Sequence, residues 1–224
     1  MENFTFKGIS STTMGVVMSD EWIATKATRR YETTEIDGMD GAIITPKGYS
    51  LVEKNVECTL LNRKRLNDVI AWLDGSGVLE LGGRYRNAQI YGEINYANLG
   101  ANRNTFTIPF ILEPFWYRDE GYMLYATSQE DGVCVNEGNV ESKPIVKIVG
   151  TGVSTISING LVFSVSLGDS VNDIVIDAKK KTEDKPKNIT IGFDYPTLMP
   201  GENDIKVLRG DANVYIKRKD RWIG

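Results

Sequence analysis

The sequence predicts a mainly β protein of two domains, and three observations lead to this prediction. Segments of alternating apolar and polar residues recur along the 224 residues, separated by Gly, Asn and Asp turn signals. A single stretch, residues 61–75, has helical spacing instead. Beyond about residue 119 the pattern changes to short, regularly spaced strands, which is typical of a β-sandwich.

In the first half, turn-forming residues separate the predicted strands. Pro109 lacks an N–H group, so its strand is expected at a sheet edge or bulged at that residue. The two Asp-Gly pairs in residues 37–41 predict a tight loop. A calcium loop is disfavoured, because the segment lacks the ligand spacing and the closing glutamate of such a loop. The predicted strands are residues 4–6, 14–18, 30–36, 77–83, 86–96 and 105–112.

The predicted helix has both ends marked in the sequence. Asn62 is the expected N-cap, and Gly75 is expected to adopt the left-handed conformation after the last turn. Its apolar stripe, expected to cover a sheet, consists of Leu66, Val69, Ile70 and Leu73.

The second half reads as strands only. Asn159-Gly160 predicts a two-residue hairpin turn. The aromatic and then charged residues 113–120 indicate the end of the first domain, so we place the boundary near residue 119. The predicted strands are residues 145–149, 155–158, 161–165, 173–177, 205–208 and 214–217.

Composition excludes several classes of function. The chain has no histidine, which removes Ser-His-Asp and Cys-His catalysis and histidine metal sites. Cys58 lies on the apolar face of a strand and is expected to be a buried thiol, and Cys134 has no activating neighbour in sequence. The net charge of −4 argues against sequence-independent binding of nucleic acid. The sequence contains neither a membrane-length apolar run nor a signal-peptide pattern, so synthesis in the cytoplasm is expected.

Three charged clusters have competing interpretations. Residues 63–65 are basic and occupy the first helical turn, where positive charge opposes the helix dipole, so a structural or inter-subunit salt bridge is favoured over nucleic acid contact. The acidic cluster of Glu32, Glu35 and Asp37 is interpreted as a solvated face or a subunit contact, not as a pair of catalytic carboxylates. Residues 179–187 are expected to form a mobile surface loop.

Taken in order, several segments resemble the distal tail proteins of siphophages. The residues that carry this resemblance are 6–11, 14–17, 29–32, 36–41, 71–73 and 113–117 in the first half, and 136–139, 142–148, 156–160 and 198–203 in the second.

The resemblance implies a fold and a role in assembly. Residues 1–119 would form a ring-building "belt" domain related to a β-sandwich or split barrel, with one α-helix, and residues 120–224 a galectin-like β-sandwich. The protein would be a virion component at the tail tip, assembled in the host cytoplasm. It would form a homo-hexameric ring that contacts the tail tube protein, the tail-associated tip protein and, in some phages, receptor-binding or side-fibre proteins. DNA would pass through the lumen without specific binding. No catalytic residue, metal or cofactor is expected, and the candidate interface residues are Arg63, Arg65 and Pro109.

Three alternatives stay open at this point. A carbohydrate-binding accessory module is disfavoured because the chain has no histidine and its second half has only Trp222 to stack on a sugar. A tail-tube or terminator subunit is disfavoured by the separate second domain. A hydrolase that uses only carboxylates has no supporting motif.

Overall fold

Strands make up most of the protein in the structure, a computed structural model that describes residues 3–96, 99–100, 103–169, 172–190 and 194–224. The chain divides into two units, Met1–Trp116 with Ile223–Gly224, and Tyr117–Trp222. Within the described residues there is a single α-helix, and it lies in the first unit. The prediction of a mainly β protein with one helix is confirmed.

The first unit is built on one large sheet and a separate hairpin. Its elements are β1 (Thr5–Phe6), β2 (Ile9–Ser10), β3 (Val16–Met18), β4 (Arg29–Thr34), β5 (Ile43–Tyr49), β6 (Val52–Leu60), a 3-10 turn η1 (Arg63–Arg65), α1 (Leu66–Trp72), β7 (Gly75–Leu81), β8 (Arg84–Ile90), β9 (Leu99–Gly100), β10 (Arg103–Leu112) and β11 (Phe115–Tyr117). The sheet order is β2-β1-β7-β8-β10-β6-β3, and β9 pairs with β10. Among the described strands, β4 and β5 pair only with each other.

The ladder between β6 and β10 separates the core from the solvent side of the sheet. Its antiparallel register runs without a shift from Thr59 opposite Thr105 to Val52 opposite Leu112. Because successive side chains alternate between faces, one face is apolar and buried and the other is polar. The buried face carries Val56, Cys58, Leu60, Phe106, Ile108, Phe110 and Leu112, and the polar face carries Glu53, Asn55, Glu57, Thr105 and Thr107.

Helix α1 covers the core with a different stripe from the one predicted. Val69, Trp72 and Leu73 are buried, whereas Ile70 is 44% exposed. The Trp72 ring stacks on Phe4 at 5.7 Å, and its Nε1 donates a hydrogen bond to the Phe6 carbonyl at 2.8 Å. The prediction that Ile70 belongs to the buried stripe was therefore wrong. The side of the helix that carries Val69 and Trp72 faces the core, and Ile70 lies outside that side.

The predicted ends of the helix fall on neighbouring elements. Asn62 caps η1, because its Oδ1 accepts a hydrogen bond from the Lys64 N–H at 3.1 Å. Gly75 has the expected positive φ, +81°, but it begins β7 and does not immediately follow the helix. A 3-10 turn thus precedes the α-helix and leaves it shorter than the periodicity predicted.

An arginine is buried in the aromatic core of the first unit. Arg86 is 1% exposed, and its guanidinium lies 4.1 Å from the Trp116 ring centre and 5.7 Å from that of Trp22. Its Nη1 donates to the Glu113 carbonyl at 3.3 Å, and burial lowers the pKa of Arg86 to about 10. Cation-π contact takes the place of water around this charge.

The second unit is a curled sheet that forms two layers. Its elements are β12 (Met123–Thr127), β13 (Gly132–Asn136), β14 (Ile145–Ile158), β15 (Leu161–Ser166), β16 (Asn172–Asp177), β17 (Thr182–Glu183), a 3-10 turn η2 (Pro186–Asn188), β18 (Ile189–Thr190) and β19 (Gly201–Lys217). The last strand is β20 (Arg221–Ile223).

Strands β14 and β19 belong to both layers. One layer runs β12-β19-β14-β16-β17 through the second half of β19 and the first half of β14, and the other runs β13-β19-β14-β15-β18 through the remaining halves. The inward side chains of both layers form one buried cluster, which includes Val146, Ile156, Phe163, Ile176 and Val214. This arrangement is that of a β-sandwich.

Two predictions of strand boundaries were wrong in the second unit. Residues 145–149 and 155–158 are one strand, and so are 205–208 and 214–217. The register shifts between Thr151 and Ile156, and both Gly152 and Gly210 have positive φ, so these strands bend from one layer to the other without ending. The Asn159-Gly160 turn is confirmed, with both residues at positive φ between Ile158 and Leu161.

The charged run 179–187 is more ordered than predicted. It contains β17, which pairs with β16, and η2. Lys185 Nζ donates to the Asp173 carbonyl at 2.5 Å and lies 3.5 Å from its carboxylate. The segment therefore includes regular structure paired with a neighbouring strand, and its mobility stays a prediction.

Both cysteines are buried and free, as predicted for Cys58. Burial raises the pKa of the Cys58 thiol to about 12 and that of Cys134 to about 11. Both thiols therefore stay protonated at neutral pH, and they have no access to solvent reagents.

Replacement of Trp72 by Ala tests the core contact of the helix. Trp72→Ala removes the Phe4 stack and the hydrogen bond to Phe6, so we expect it to lower the free energy of unfolding by about 3–5 kcal/mol. Ile70→Ala, on the exposed side of the same helix, should cost less than about 1 kcal/mol. Urea unfolding followed by circular dichroism measures both, and equal losses would show that the helix does not pack through Trp72.

Thiol labelling tests the burial of the cysteines. The native protein should not react with a thiol reagent near neutral pH, whereas both cysteines should react in concentrated guanidinium chloride. The thiols ionise first in the unfolded chain, so their contribution to stability is lost as pH rises through about 9 to 12. Rapid labelling of the folded protein would contradict this assignment.

Candidate assembly surfaces

The most exposed part of the first unit is the hairpin of β4, β5 and the loop between them, which we call the arm. Every residue from 28 to 48 is exposed. The strands pair from Thr34 opposite Ile43 to Arg29 opposite Tyr49, with a bulge that leaves Lys47 unmatched. Six residues of extended chain give β4 a length of about 20 Å.

One face of the arm is mainly apolar. Directly opposed residues share a face, so Tyr31 and Pro46 lie beside Thr33 and Ile44. Tyr31 and Ile44 are each 65% exposed. An isolated two-stranded hairpin is marginally stable in water, and clustered exposed apolar side chains mark interaction sites. The arm therefore has the properties of a surface that another molecule covers.

The loop of the arm, residues 35–41, is its tip, and it combines acidic and apolar side chains. Gly38 and Gly41 have φ of +84° and +85°, which agrees with the predicted tight Asp-Gly loop. Ile36 and Met39 are about half exposed. The acids are Glu35, Asp37 and Asp40. No group of potential metal ligands occurs among the residues that the structure describes.

The base of the arm is held firmly. The Ser50 N–H donates to the Thr28 carbonyl at 2.9 Å, and the Tyr49 ring meets Phe115 edge-on at 5.2 Å. In the preceding segment, Lys54 Nζ donates to the Ile23 carbonyl at 2.6 Å and lies 4.9 Å from the Trp22 ring centre. Burial and, secondly, Arg86 lower the pKa of Lys54. The arm is thus anchored at its base and uncovered along its length.

The predicted interface residues Arg63 and Arg65 lie together on η1, which with Lys64 forms a basic turn. All three side chains are exposed, and Arg65 Nη1 donates to the Thr13 carbonyl. Exposed apolar residues flank the turn, with Leu61 65% and Ile70 44% exposed. Arg63 has no ion pair within the described part of the chain, so the structural salt bridge considered for this position is not formed there.

Pro109 lies elsewhere, on an interior strand of the sheet that is paired on only one side at this residue, as the missing N–H predicted. β10 runs between β8 and β6, and the register passes Pro109 opposite Asn55 without a bulge. β8 pairs with β10 only at Ile111 and Leu112, so only one neighbouring strand pairs with Pro109 and its missing N–H is tolerated. Pro109 lies opposite Asn55, five residues before Leu60, the end of β6 that leads to Arg63. Five strand residues span about 17 Å, so the ladder separates Pro109 from the basic turn.

The polar face around Pro109 forms an open cleft of about 480 Å³. Its lining includes Asn55, Glu57, Glu93, Thr107 and Pro109. Carboxylates and amides dominate, so the solvent side of the sheet is acidic here.

A second open cleft, of about 440 Å³, lies in the second unit. Its lining includes Lys143, Asn159, Lys181 and Tyr195, and the Tyr195 hydroxyl donates to Glu183 Oε1 at 2.5 Å. Trp222, the residue considered for sugar stacking, is 8% exposed and lies under the Arg118 guanidinium. No helix in the described ranges has both the length and the apolar character needed to cross a membrane.

Strand β5 of the arm was not predicted from the sequence. Residues 43–49 contain Pro46 and Gly48, which disfavour strands. The available signal was position: a strand at residues 30–36 followed by an Asp-Gly loop requires a returning strand.

The fold is similar to that of a known phage protein along its whole length. No protein-family model matches the sequence, and no curated protein does. The Dit protein of phage SPP1, a paradigm of the hub adsorption apparatus in phages that infect Gram-positive bacteria, matches with a TM-score of 0.71 and 15% identity over 97% of this chain and 98% of that chain. The fold expected from the resemblance to distal tail proteins is confirmed.

Weaker similarities concern the baseplate of phage P2 in its activated conformation. The calcium form matches over 97% of this chain and 98% of that chain, with 9% identity and a TM-score of 0.41. The strontium form matches over 98% of both chains, with 9% identity and a TM-score of 0.36. These scores are too low to support an argument.

Proposed function

We propose that the protein is a structural subunit of a phage tail, a distal tail protein that forms a homo-hexameric ring between the tail tube and the tail tip. It acts by assembly and has no catalytic role. Residues 1–119 form the ring, and residues 120–224 lie outside it. The protein is made in the host cytoplasm and resides in the virion.

The observation that carries this proposal is the uncovered arm. The arm has a firmly held base and carries exposed apolar side chains within a run of 21 exposed residues, 28–48, and these properties fit a segment that another subunit covers. In a ring, every copy offers an arm and every copy receives one, so all the exposed apolar surface is covered.

The similarity to the SPP1 Dit protein supports the proposed location. That protein is part of a hub adsorption apparatus, and the match covers both chains almost completely. A subunit in the same place would contact the last tail-tube ring, the tail-associated tip protein and, where present, receptor-binding or side-fibre proteins.

The charge of the chain supports passage of DNA without binding. The net charge is −4, and the polar face of the β6–β10 ladder exposes Glu53 and Glu57. A lumen with acidic walls repels phosphate, so DNA slides through it.

Light scattering coupled to size-exclusion chromatography, with negative-stain microscopy, tests the ring. The wild-type chain should give a hexamer and ring-shaped particles that do not stack into tubes, which separates it from a tube subunit. Tyr31→Ser combined with Ile44→Ser should abolish the ring and leave the circular dichroism spectrum unchanged, because both side chains are 65% exposed.

Val162→Ser, an exposed apolar position of the second unit, is the control and should assemble normally. A wild-type chain that stays monomeric at every concentration, or an arm variant that still forms rings, would contradict the proposal.

Carbohydrate binding is the second candidate, because the cleft at Tyr195 combines an aromatic ring with polar side chains. On our proposal the full chain gives no saturable signal in a glycan array or a cell-wall pull-down. Saturable binding that is lost in Tyr195→Ala and kept in Tyr122→Ala, an exposed tyrosine of the same unit, would replace assembly as the main function of the second unit.

A further inference from the structure

We propose that the acidic tip of the arm docks on the basic turn of the next copy of the chain, so that the ring is closed head to tail. This inference rests on the proposed ring and identifies the two surfaces that meet. The tip is residues 35–41 and the basic turn is Arg63–Arg65.

The arm and the basic turn are connected to opposite ends of the same strand, β6. β5 ends at Tyr49 and leads through two residues into Val52, the first residue of β6. The basic turn follows Leu60, the last residue of β6, with Asn62 as its cap. A nine-residue strand is about 30 Å long, so the strand itself separates the base of the arm from the basic turn of the same chain.

The charges of the two surfaces are complementary. The tip carries Glu35, Asp37 and Asp40, and the turn carries Arg63, Lys64 and Arg65. No described ion pair joins the two groups within one chain. The turn precedes α1, where positive charge opposes the helix dipole, so helix stability does not account for it. An acidic partner does account for it.

Apolar side chains accompany the charges on both surfaces. Ile36 and Met39 are about half exposed at the tip, and Leu61 and Ile70 are exposed beside the turn. Docking would place these four side chains together and surround them with the opposite charges. Protein interfaces have this arrangement of an apolar centre and a polar rim.

The contact is compatible with two kinds of symmetry. In a two-fold dimer, each tip would dock on the turn of the same partner, and the assembly would close with two copies. When the tip of one copy and the turn of that copy meet two different neighbours, the copies join head to tail, and such a contact closes into a ring when the rotation allows it. The proposed hexamer requires the second arrangement.

Charge reversal tests the docking. The tip variant is Asp37→Lys with Asp40→Lys, and the turn variant is Arg63→Glu with Lys64→Glu, which spares the Arg65 hydrogen bond. Each variant alone should raise the protein concentration for half-assembly by at least about tenfold, because like charges meet at every contact. Light scattering and native mass spectrometry measure the assembly, and circular dichroism verifies the fold.

Mixing the two variants in equal amounts provides the rescue. The basic tip of the first variant meets the acidic turn of the second, and the unchanged tip of the second meets the unchanged turn of the first. Alternating rings with an even number of subunits should therefore form again. The control, Glu130→Lys with Glu202→Lys on exposed positions of the second unit, changes the net charge as much as the tip variant and should assemble like wild type.

Each outcome decides one proposal. If both variants form rings as readily as the wild-type chain, the docking is overturned and the proposed ring is not affected. The same holds if both variants are folded and their mixture does not assemble. A wild-type chain that forms no ring overturns the proposed ring, and the docking with it.

Discussion

The β6–β10 ladder is the constraint on which the first unit depends. Its unshifted register sends Val56, Phe106 and Ile108 to one face and Glu57 and Thr107 to the other, and thereby separates core from solvent. Trp72 of α1 packs on Phe4 and Phe6, and the rings of these two residues meet Phe110 on the apolar face. The same strand, β6, sets the positions of the arm and of the basic turn, because one leads into it and the other follows it. A change in this register would move the core and both surfaces together.

Both the core and the arm of the first unit contain large apolar side chains, but only those of the core are covered. Phe4, Phe6 and Trp72 cover one another within the first unit, whereas Tyr31 and Ile44 have no such cover. A hairpin of two strands has no second layer of its own, and the ring that we propose would supply one. The anchored base would make this association less costly, since the arm need not be ordered before it docks.

Local patterns in the sequence predicted local structure well. Asn159-Gly160 has the two positive φ values of its turn, and Cys58 is buried. Asn62 is a cap as predicted, but of the 3-10 turn that precedes the α-helix. Errors arose where distant residues decide the structure. The burial of Ile70 and the continuity of β14 and β19 each depended on neighbours that are far away in sequence. Of the candidate interface residues, Arg63 and Arg65 lie together because they are two residues apart on η1. Pro109 lies apart from them, because the β6–β10 ladder places it opposite Asn55.

By itself, the sequence determined what chemistry the chain lacks and which elements it contains. A chain without histidine has no histidine base or ligand in any fold, and turns and caps depend on a few adjacent residues. Only the tertiary structure decided that β14 and β19 each continue through both layers, that Arg86 is buried between tryptophans, and that the arm stands uncovered at the other end of β6 from the basic turn. The reason is physical: the path, burial and exposure of a segment depend on strand pairing and packing between residues far apart in the chain, which short-range patterns do not encode.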